Sequence, residues 1–139
     1  MADTRIYSTD AIEVHWDAGR CIHSARCIAG APSVFDPRRR PWIVLEGAEA
    51  DRVANVVAQC PSGALHFRRL DGGAQEQPDE PPVAMPVPNG PLYLRGCLRV
   101  ETNDGQLIAA DTRIALCRCG GSANKPFCDN THLRIGFRG

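Results

Sequence analysis

The chain has 139 residues, with sixteen basic and sixteen acidic side chains and therefore no formal net charge. This balance argues against nucleic-acid binding, which relies on an excess of Lys and Arg along the phosphate backbone. No apolar stretch approaches the roughly 20 residues that cross a bilayer, and no apolar signal region opens the sequence, so we expect a cytoplasmic protein that binds no membrane.

The first part of the chain mixes strand and helix patterns. Residues 11–17 alternate between apolar and polar side chains, as in a strand with one buried face. Residues 18–32 are expected to be a loop with a short helix, and residues 41–45 and 64–68 to be strands. Between the two predicted strands at residues 41–45 and 64–68, apolar side chains recur at the spacing of one helix face, and Pro61 is expected to end this helix. These apolar residues are Val53, Val56, Val57 and Cys60.

A proline-rich segment, residues 71–91, follows and contains six of the eleven prolines. Proline lacks a backbone donor and fixes φ, so we expect this segment to be an extended linker that forms neither a ladder nor a helix. It separates a first domain at residues 1–70 from a second at residues 92–139. The linker also divides the seven cysteines into groups of three and four. Because cytoplasmic thiols stay reduced, these cysteines are expected to be metal ligands or reactive groups rather than disulfides.

The second domain is predicted to be rich in strands. Residues 92–100 have a strand pattern, and an Asn-Asp-Gly turn signal lies at residues 103–105. Residues 107–110 and 113–116 follow as short strands, and the last of them runs directly into Cys117. The helix in the first domain and the strands in both domains indicate an α+β fold.

Three thiols and one imidazole lie within residues 117–132. They belong to Cys117, Cys119, Cys128 and His132. Donors of this type so close together suit an iron–sulfur cluster or zinc. Structural zinc sites usually begin with cysteines separated by about two to four residues, whereas a single residue separates the first pair here. Thiolates at alternate positions suit a binuclear core, with the first two cysteines on one iron and the third cysteine and the histidine on the other.

Residues 117–132 resemble the iron–sulfur site of the CDGSH (NEET) family in the order and spacing of their cysteines, serine, proline and histidine. Asn130 stands where the family usually has glycine, and asparagine tolerates a left-handed backbone better than most residues. The resemblance implies a [2Fe–2S] cluster in a β-rich cap, and often a homodimer. A zinc site built from the same side chains is the alternative. The ligands implied by the resemblance are Cys117, Cys119, Cys128 and His132.

One neutral imidazole in place of a negative thiolate has two expected consequences for this site. It raises the reduction potential, as two histidines do more strongly in Rieske centres. It also allows protonation, so we expect mild acid to loosen the cluster. Asp129 is expected to cap a short helix that holds His132 in its first turn.

The cysteines of the first domain have a different spacing. Five residues separate Cys21 from Cys27, and Ser24 lies midway between them. Cys60 follows much later and precedes a proline. Bacterial ferredoxins place three cysteines at intervals of about two residues and use a distant Cys-Pro pair. Residues 11–68 therefore resemble the single-cluster bacterial ferredoxins, including those with a non-cysteine residue at the middle position.

Three thiolates can hold three irons of a cubic cluster. We therefore favour [3Fe–4S] bound by Cys21, Cys27 and Cys60 over [4Fe–4S], which needs a fourth ligand. The candidates for that ligand are Ser24, His23, water and a group from a partner protein. The alternative is that the three cysteines are small buried side chains that hold no cluster.

A small ferredoxin-like unit joined to a β-rich CDGSH unit is expected to transfer single electrons between soluble redox proteins. The first alternative is a cluster donor to apo iron–sulfur acceptors, or a redox or pH sensor. The second is a zinc-stapled interaction module. No nucleotide-binding glycine motif and no nucleophile with a base is visible, so we do not expect an enzyme. Cys97 lies on the strand face away from the leucines and is expected to be a bystander.

Overall fold

The structure, a computed structural model, describes residues 4–139. These residues form two compact units. The first contains the described residues up to 60 together with residues 64–76, and the second contains residues 61–63 and 77–139. Each unit has one antiparallel sheet of three strands, with several short helices in the first unit and one described in the second, so the fold is α+β as predicted. No helix in the described part of the chain is long and apolar enough to cross a membrane.

The first unit contains a sheet with the strand order β1-β2-β3. The strands are β1 (Thr4–Ser8), β2 (Ile12–Asp17) and β3 (Leu65–Arg69). Two α-helices accompany the sheet, α1 (Arg26–Gly30) and α2 (Ala50–Val57). Short 3₁₀ helices lie at Ala18–Arg20 and Leu45–Gly47. The predicted strands at residues 11–17 and 64–68 and the short helix within residues 18–32 are thus confirmed.

The core of the first unit is built from the apolar faces that the sequence pattern predicts. Ile12 and Val14 of β2 are at most 1 % exposed, and Val53 and Val57 of α2 are fully buried. Phe35 from the intervening loop is also fully buried and belongs to the same cluster. Burying one such side chain stabilises a fold by about 1.5–3 kcal/mol, so this core anchors α2 to the sheet.

Two predictions for the first unit are wrong. α2 ends at Val57, so Cys60 lies in the following turn rather than on the helix. The amide of Cys60 donates to the carbonyl of Val57 at 3.1 Å, a tight turn that fits the restriction a proline places on its preceding residue. Residues 41–45 form an isolated bridge between Ile43 and Phe35 rather than a strand. Ile43 is nonetheless buried, and a short apolar run does not by itself distinguish a strand from a buried loop.

The start of the predicted linker lies along the free edge of β3. The side-chain oxygen of Gln75 accepts from the amide of Arg69 at 2.8 Å, and its side-chain nitrogen donates to the Arg69 carbonyl at 3.0 Å. Glu76 accepts from the amide of Phe67 at 3.3 Å. These side chains satisfy backbone groups that an outer strand otherwise leaves open to another chain.

The second unit contains a sheet with the strand order β4-β5-β6. The strands are β4 (Val83–Pro86), β5 (Leu92–Glu101) and β6 (Leu107–Leu116), and the helix α3 (Thr131–Arg134) lies near the end of the chain. β5 and β6 form a hairpin. The predicted turn at residues 103–105 is confirmed, and Gly105 takes the left-handed φ of 88° that favours glycine there.

Two strand predictions for the second unit are also wrong. Residues 83–86 of the predicted linker pair antiparallel with β5, which an edge strand allows despite its proline. β6 is one continuous strand rather than two, and at the predicted break the extra residue of a bulge lies in β5, between Arg95 and Leu98, while a second register shift follows between Val100 and Glu101. Gly96 occupies this bulge with a φ of 145°, and a Cβ there would lie 2.8 Å from Pro82 Cβ. The close approach explains the glycine.

Candidate metal centres

The ligand loop of the second unit, residues 117–132, begins where β6 ends. The amide of Cys117 donates to the carbonyl of Pro126 at 2.9 Å. The amide of Cys128 donates to the carbonyl of Ala115, also at 2.9 Å. These two bonds hold the returning chain beside the end of β6, so that cysteines eleven positions apart in sequence (128 − 117) become neighbours.

The four predicted ligand atoms of this loop form two close pairs. Cys117 Sγ lies 3.8 Å from Cys119 Sγ, and Cys128 Sγ lies 3.7 Å from His132 Nδ1. With metal–sulfur bonds of about 2.3 Å and metal–nitrogen bonds of about 2.1 Å, two ligands on one tetrahedral metal stand about 3.8 Å apart for two sulfurs and about 3.6 Å apart for sulfur and nitrogen. Each pair therefore has the spacing of two ligands on one metal.

The two pairs do not merge into one compact site. Within residues 4–139, no group of three or more Cys, His, Asp or Glu side chains converges closely enough to hold a single ion. A mononuclear zinc site needs all four donors around one metal. A binuclear core needs two donors on each of two metals, which is the arrangement that these distances fit.

Backbone amides point at the sulfurs of both pairs. The amide of Gly121 donates to Cys119 Sγ at 3.3 Å, and the amide of Asn130 donates to Cys128 Sγ at 3.4 Å. Gly120 has a φ of 80°, a conformation that favours glycine. A Cβ at Gly121 would lie 2.8 Å from Thr131 Cγ2. The two glycines therefore let the loop turn tightly and pack closely on the segment that carries His132.

Asp129 ties the two ends of the ligand loop together. One carboxylate oxygen accepts from the amide of Thr131 at 3.0 Å and from its hydroxyl at 2.6 Å, and the other accepts from the amide of Ala123 at 2.9 Å. The Thr131 side chain and the Ala123 amide lower the pKa of Asp129 to about 2. The predicted N-cap is displaced by one residue, because Asn130 occupies the cap position with a left-handed φ of 69°. Asp129 still supplies the hydrogen bond, and His132 lies in the first turn of α3 as predicted.

The protein environment has opposite effects on two of these thiols. Burial raises the pKa of Cys128, with neighbouring Cys117, Asp129 and Cys119 adding to the effect. Burial also raises the pKa of Cys117, but the amides of Ser122 and Gly120 together with Cys119 outweigh it, and the pKa falls below its ordinary value. The loop therefore favours the thiolate, the form that binds metal, at its first ligand position.

The first unit brings its three cysteines near one another from distant parts of the chain, although not close enough to share a single ion. Cys27 lies in α1, and Cys60 lies in the turn after α2. Burial, together with the charges of the nearby Cys60 and Cys21, raises the pKa of Cys27 to about 11. A Cβ on Gly30 would lie 2.9 Å from Val56 Cγ2, so α1 and α2 touch closely at this point. That contact brings the cysteine of α1 next to the one that follows α2.

The loop between Cys21 and Cys27 has features that the sequence pattern did not reveal. His23 and Ala25 both adopt left-handed backbone conformations, with φ of 56° and 64°. The imidazole Nδ1 of His23 lies 3.9 Å from Cys21 Sγ. Left-handed residues other than glycine are uncommon and cluster at functional sites.

Other reactive side chains lie outside these two loops. His15 contacts Glu13 at 2.7 Å, and His66 contacts Glu76 at 2.5 Å. Cys97 is exposed on β5, next to the bulge. Its role as a bystander stays a prediction.

Paired donors in the ligand loop of the second unit and neighbouring thiols in the first unit are typical of an iron–sulfur protein. A family model described as divergent 4Fe-4S mono-cluster matches residues 7–70, and one described as iron-binding zinc finger CDGSH type matches residues 89–133. The chain belongs to the divergent 4Fe–4S mono-cluster family through its first part and carries a CDGSH-type iron–sulfur domain in its second. Both resemblances seen in the sequence are thereby confirmed.

The chain is also similar to individual proteins. The uncharacterized protein YjdI of Escherichia coli (strain K12) and the protein of the same name from Escherichia coli O157:H7 are each 36% identical to it over 64 residues. The matched segment is 46% of this chain and 84% of each relative. Two iron–sulfur-binding domains in one chain are thus shown, whereas the cluster types and the individual ligands stay predictions.

Proposed function

We propose that this protein carries single electrons between redox partners, with one cluster in each part of the chain. The second unit would hold a [2Fe–2S] cluster, and the first a cubic cluster. When bound, these clusters supply the one-electron chemistry, while the protein sets the reduction potential of each cluster and the access of redox partners to it. The proposed ligands of the two sites are Cys117, Cys119, Cys128 and His132, and Cys21, Cys27 and Cys60.

The pairing of donors in the second unit carries this proposal. Separations of 3.8 Å between Cys117 and Cys119 and 3.7 Å between Cys128 and His132 suit two irons, each with two protein ligands. Zinc has no redox chemistry and prefers four donors around one ion. The arrangement therefore favours an electron carrier over a zinc-stapled module.

The backbone of the ligand loop can change the reduction potential of a cluster bound in the second unit. The amides of Gly121 and Asn130 donate to ligand sulfurs, and hydrogen bonds of this kind withdraw negative charge from thiolates. Less negative charge at the ligands makes an added electron less unfavourable. A neutral imidazole at His132 acts in the same direction, so we expect a potential above that of sites held by thiolates alone.

The surface beside the ligand loop suits negatively charged partners. Residues 117–139 contain four basic residues and one acidic residue, although the whole chain has no net charge. The basic residues are Arg118, Lys125, Arg134 and Arg138. Leu133 and Ile135, on either side of Arg134, are 71% and 56% exposed. Exposed apolar side chains within a cationic segment are typical of a transient docking surface, so we propose redox proteins with acidic surfaces as partners.

Metal and sulfide analysis of anaerobically purified full-length protein tests this function. About five or six irons and about six sulfides per chain, with electron paramagnetic resonance (EPR) signals that appear and disappear reversibly on reduction, are expected for two clusters. About two irons would leave only the CDGSH-type site, and zinc without sulfide would refute the electron-transfer proposal. Cys119→Ser should remove about two irons, whereas Cys97→Ser, which removes an exposed thiol of the same unit, should remove none.

Cluster donation to an apo iron–sulfur acceptor is the second candidate. The observation that favours it is the position of His132 on a helix of four residues, next to the exposed Leu133. A ligand on such a short element can be exchanged with little loss of packing. Transfer of the cluster to an apo-ferredoxin faster than its spontaneous loss, with no reversible redox cycling of the protein itself, would favour donation over electron transfer.

A further inference from the structure

The first unit offers three cysteines to a cubic cluster, and a cube of four irons takes four ligands. The family matched by residues 7–70 is described by a single 4Fe–4S cluster. One ligand therefore has to come from another side chain, from water or from a partner. An assignment of this fourth ligand depends on the proposed cluster in the first unit and adds to it the side chain that completes the site.

Two non-cysteine side chains between Cys21 and Cys27 can donate a lone pair to iron. The hydroxyl oxygen of Ser24 faces the backbone, where it accepts from the amide of Arg26 at 3.5 Å. A serine also has to lose its proton to become an anionic ligand, whereas a neutral imidazole already presents a free nitrogen. Imidazole is a common ligand of iron in proteins. The chemistry of the loop therefore favours His23.

The geometry of the loop favours the same residue. His23 Nδ1 is 3.9 Å from Cys21 Sγ, so its ring lies beside one of the three thiols. Each iron of a cube takes one protein ligand, so the ring has to swing away from this sulfur to reach an iron of its own. The side chain of His23 is exposed, and rotation about its side-chain torsions requires no repacking of the core. The left-handed φ of 56° shows that the backbone accepts an uncommon conformation at this position.

We propose that His23 is the fourth protein ligand of a [4Fe–4S] cluster in the first unit, bound through Nδ1. The site then has three thiolates and one imidazole, the same donor types as the ligand loop of the second unit. With a fourth protein ligand, the cluster retains all four irons. The [3Fe–4S] cluster that the three cysteines alone would bind is then expected only in a variant that lacks the His23 imidazole.

Iron content and EPR of the full-length protein, reconstituted anaerobically, test the assignment. We expect the parent to hold about six irons per chain and His23→Gln about five, with the EPR signal of an oxidised three-iron cluster appearing in the variant. Ser24→Ala is the matched control, because it removes the neighbouring donor from the same loop, and it should keep about six. His23→Cys should also keep about six but lower the potential of this cluster, since a thiolate replaces a neutral ligand.

Labelling histidine with ¹⁵N adds a direct readout, because a bound imidazole changes the nitrogen couplings in pulsed EPR of the reduced cubic cluster. The assignment is overturned if His23→Gln retains the parent's iron, if Ser24→Ala loses as much iron as His23→Gln, or if the parent holds only three irons at this site. A parent without any cluster in the first unit would instead refute the proposed function of that unit. The two failures are therefore distinguishable.

Discussion

Gly121→Ala tests how tightly the ligand loop packs on α3. A Cβ at this position would lie 2.8 Å from Thr131 Cγ2, closer than two carbon atoms approach without repulsion. Thr131 cannot turn away without losing contacts, because its hydroxyl donates to Asp129 at 2.6 Å and accepts from Arg134 at 2.8 Å. The clash should therefore displace α3, which carries His132.

The size of the effect follows from the packing. Forcing one extra carbon into a filled space typically costs about 1–3 kcal/mol. If that cost falls on the cluster-bound state, release of the cluster accelerates by about fivefold to 150-fold, at about 1.4 kcal/mol for each factor of ten. The rate is measured anaerobically at neutral pH, as the loss of visible absorbance after an iron chelator is added.

Two further variants separate packing from other causes. Thr131→Ser removes the methyl group that clashes and keeps the hydroxyl that Asp129 holds, so combining it with Gly121→Ala should restore most of the parent's rate. Gly105→Ala strains a left-handed turn where no neighbour lies within 4 Å of the new Cβ, and it should leave the release rate unchanged. If Gly121→Ala keeps its cluster as long as the parent does, the packing argument is wrong.

Three more predictions concern acid, charge and the ligand loop. His132→Cys should lose the acceleration of cluster release that mild acid causes in the parent, because acid competes with iron for an imidazole ligand more readily than for a thiolate; equal acid lability would contradict this. Asp129→Asn should release the cluster faster at neutral pH but keep the parent's dependence on mild acid. The pKa of this carboxyl falls from 3.8 to about 2, so its contribution is complete above pH 3.8 and is lost only as the pH falls towards 2. Reversing Arg134 and Arg138 to Glu should slow electron exchange with an acidic flavodoxin by about tenfold at low salt, with little difference at high salt. Arg99→Glu, the same charge change on β5, should have a much smaller effect in the same stopped-flow assay, and equal slowing would argue against a docking surface beside the ligand loop.

Short-range features were open to prediction from the sequence. The four donors of the second unit lie within residues 117–132, and β6 delivers Cys117 directly into the loop. The left-handed Asn130 was also predictable, because the preference for that conformation is local. In the first unit, the buried faces of β2 and α2 followed from periodicity alone.

Long-range features were not open to prediction in the same way. Residues 83–86 form a strand because β5 offers them a partner, which overrides the local effect of proline. β6 runs through the predicted break because its residues there pair with β5, whose bulge lets Gly96 approach Pro82 closely. Both outcomes depend on pairing between segments that no local pattern describes.

The two cluster sites differ in the same respect. The spacing of cysteines and histidine by itself predicted a donor set for the second unit, since sixteen consecutive residues contain all four side chains. The spacing already suggested two pairs of donors, but only the tertiary structure brings Cys128 beside the end of β6, because the returning chain hydrogen-bonds there. In the first unit, tertiary structure had the larger part: the contact of Gly30 with Val56 unites a cysteine of α1 with one more than thirty residues away (60 − 27). A ligand set can be predicted from sequence when one loop holds it, and it needs the packed core when separate elements share it.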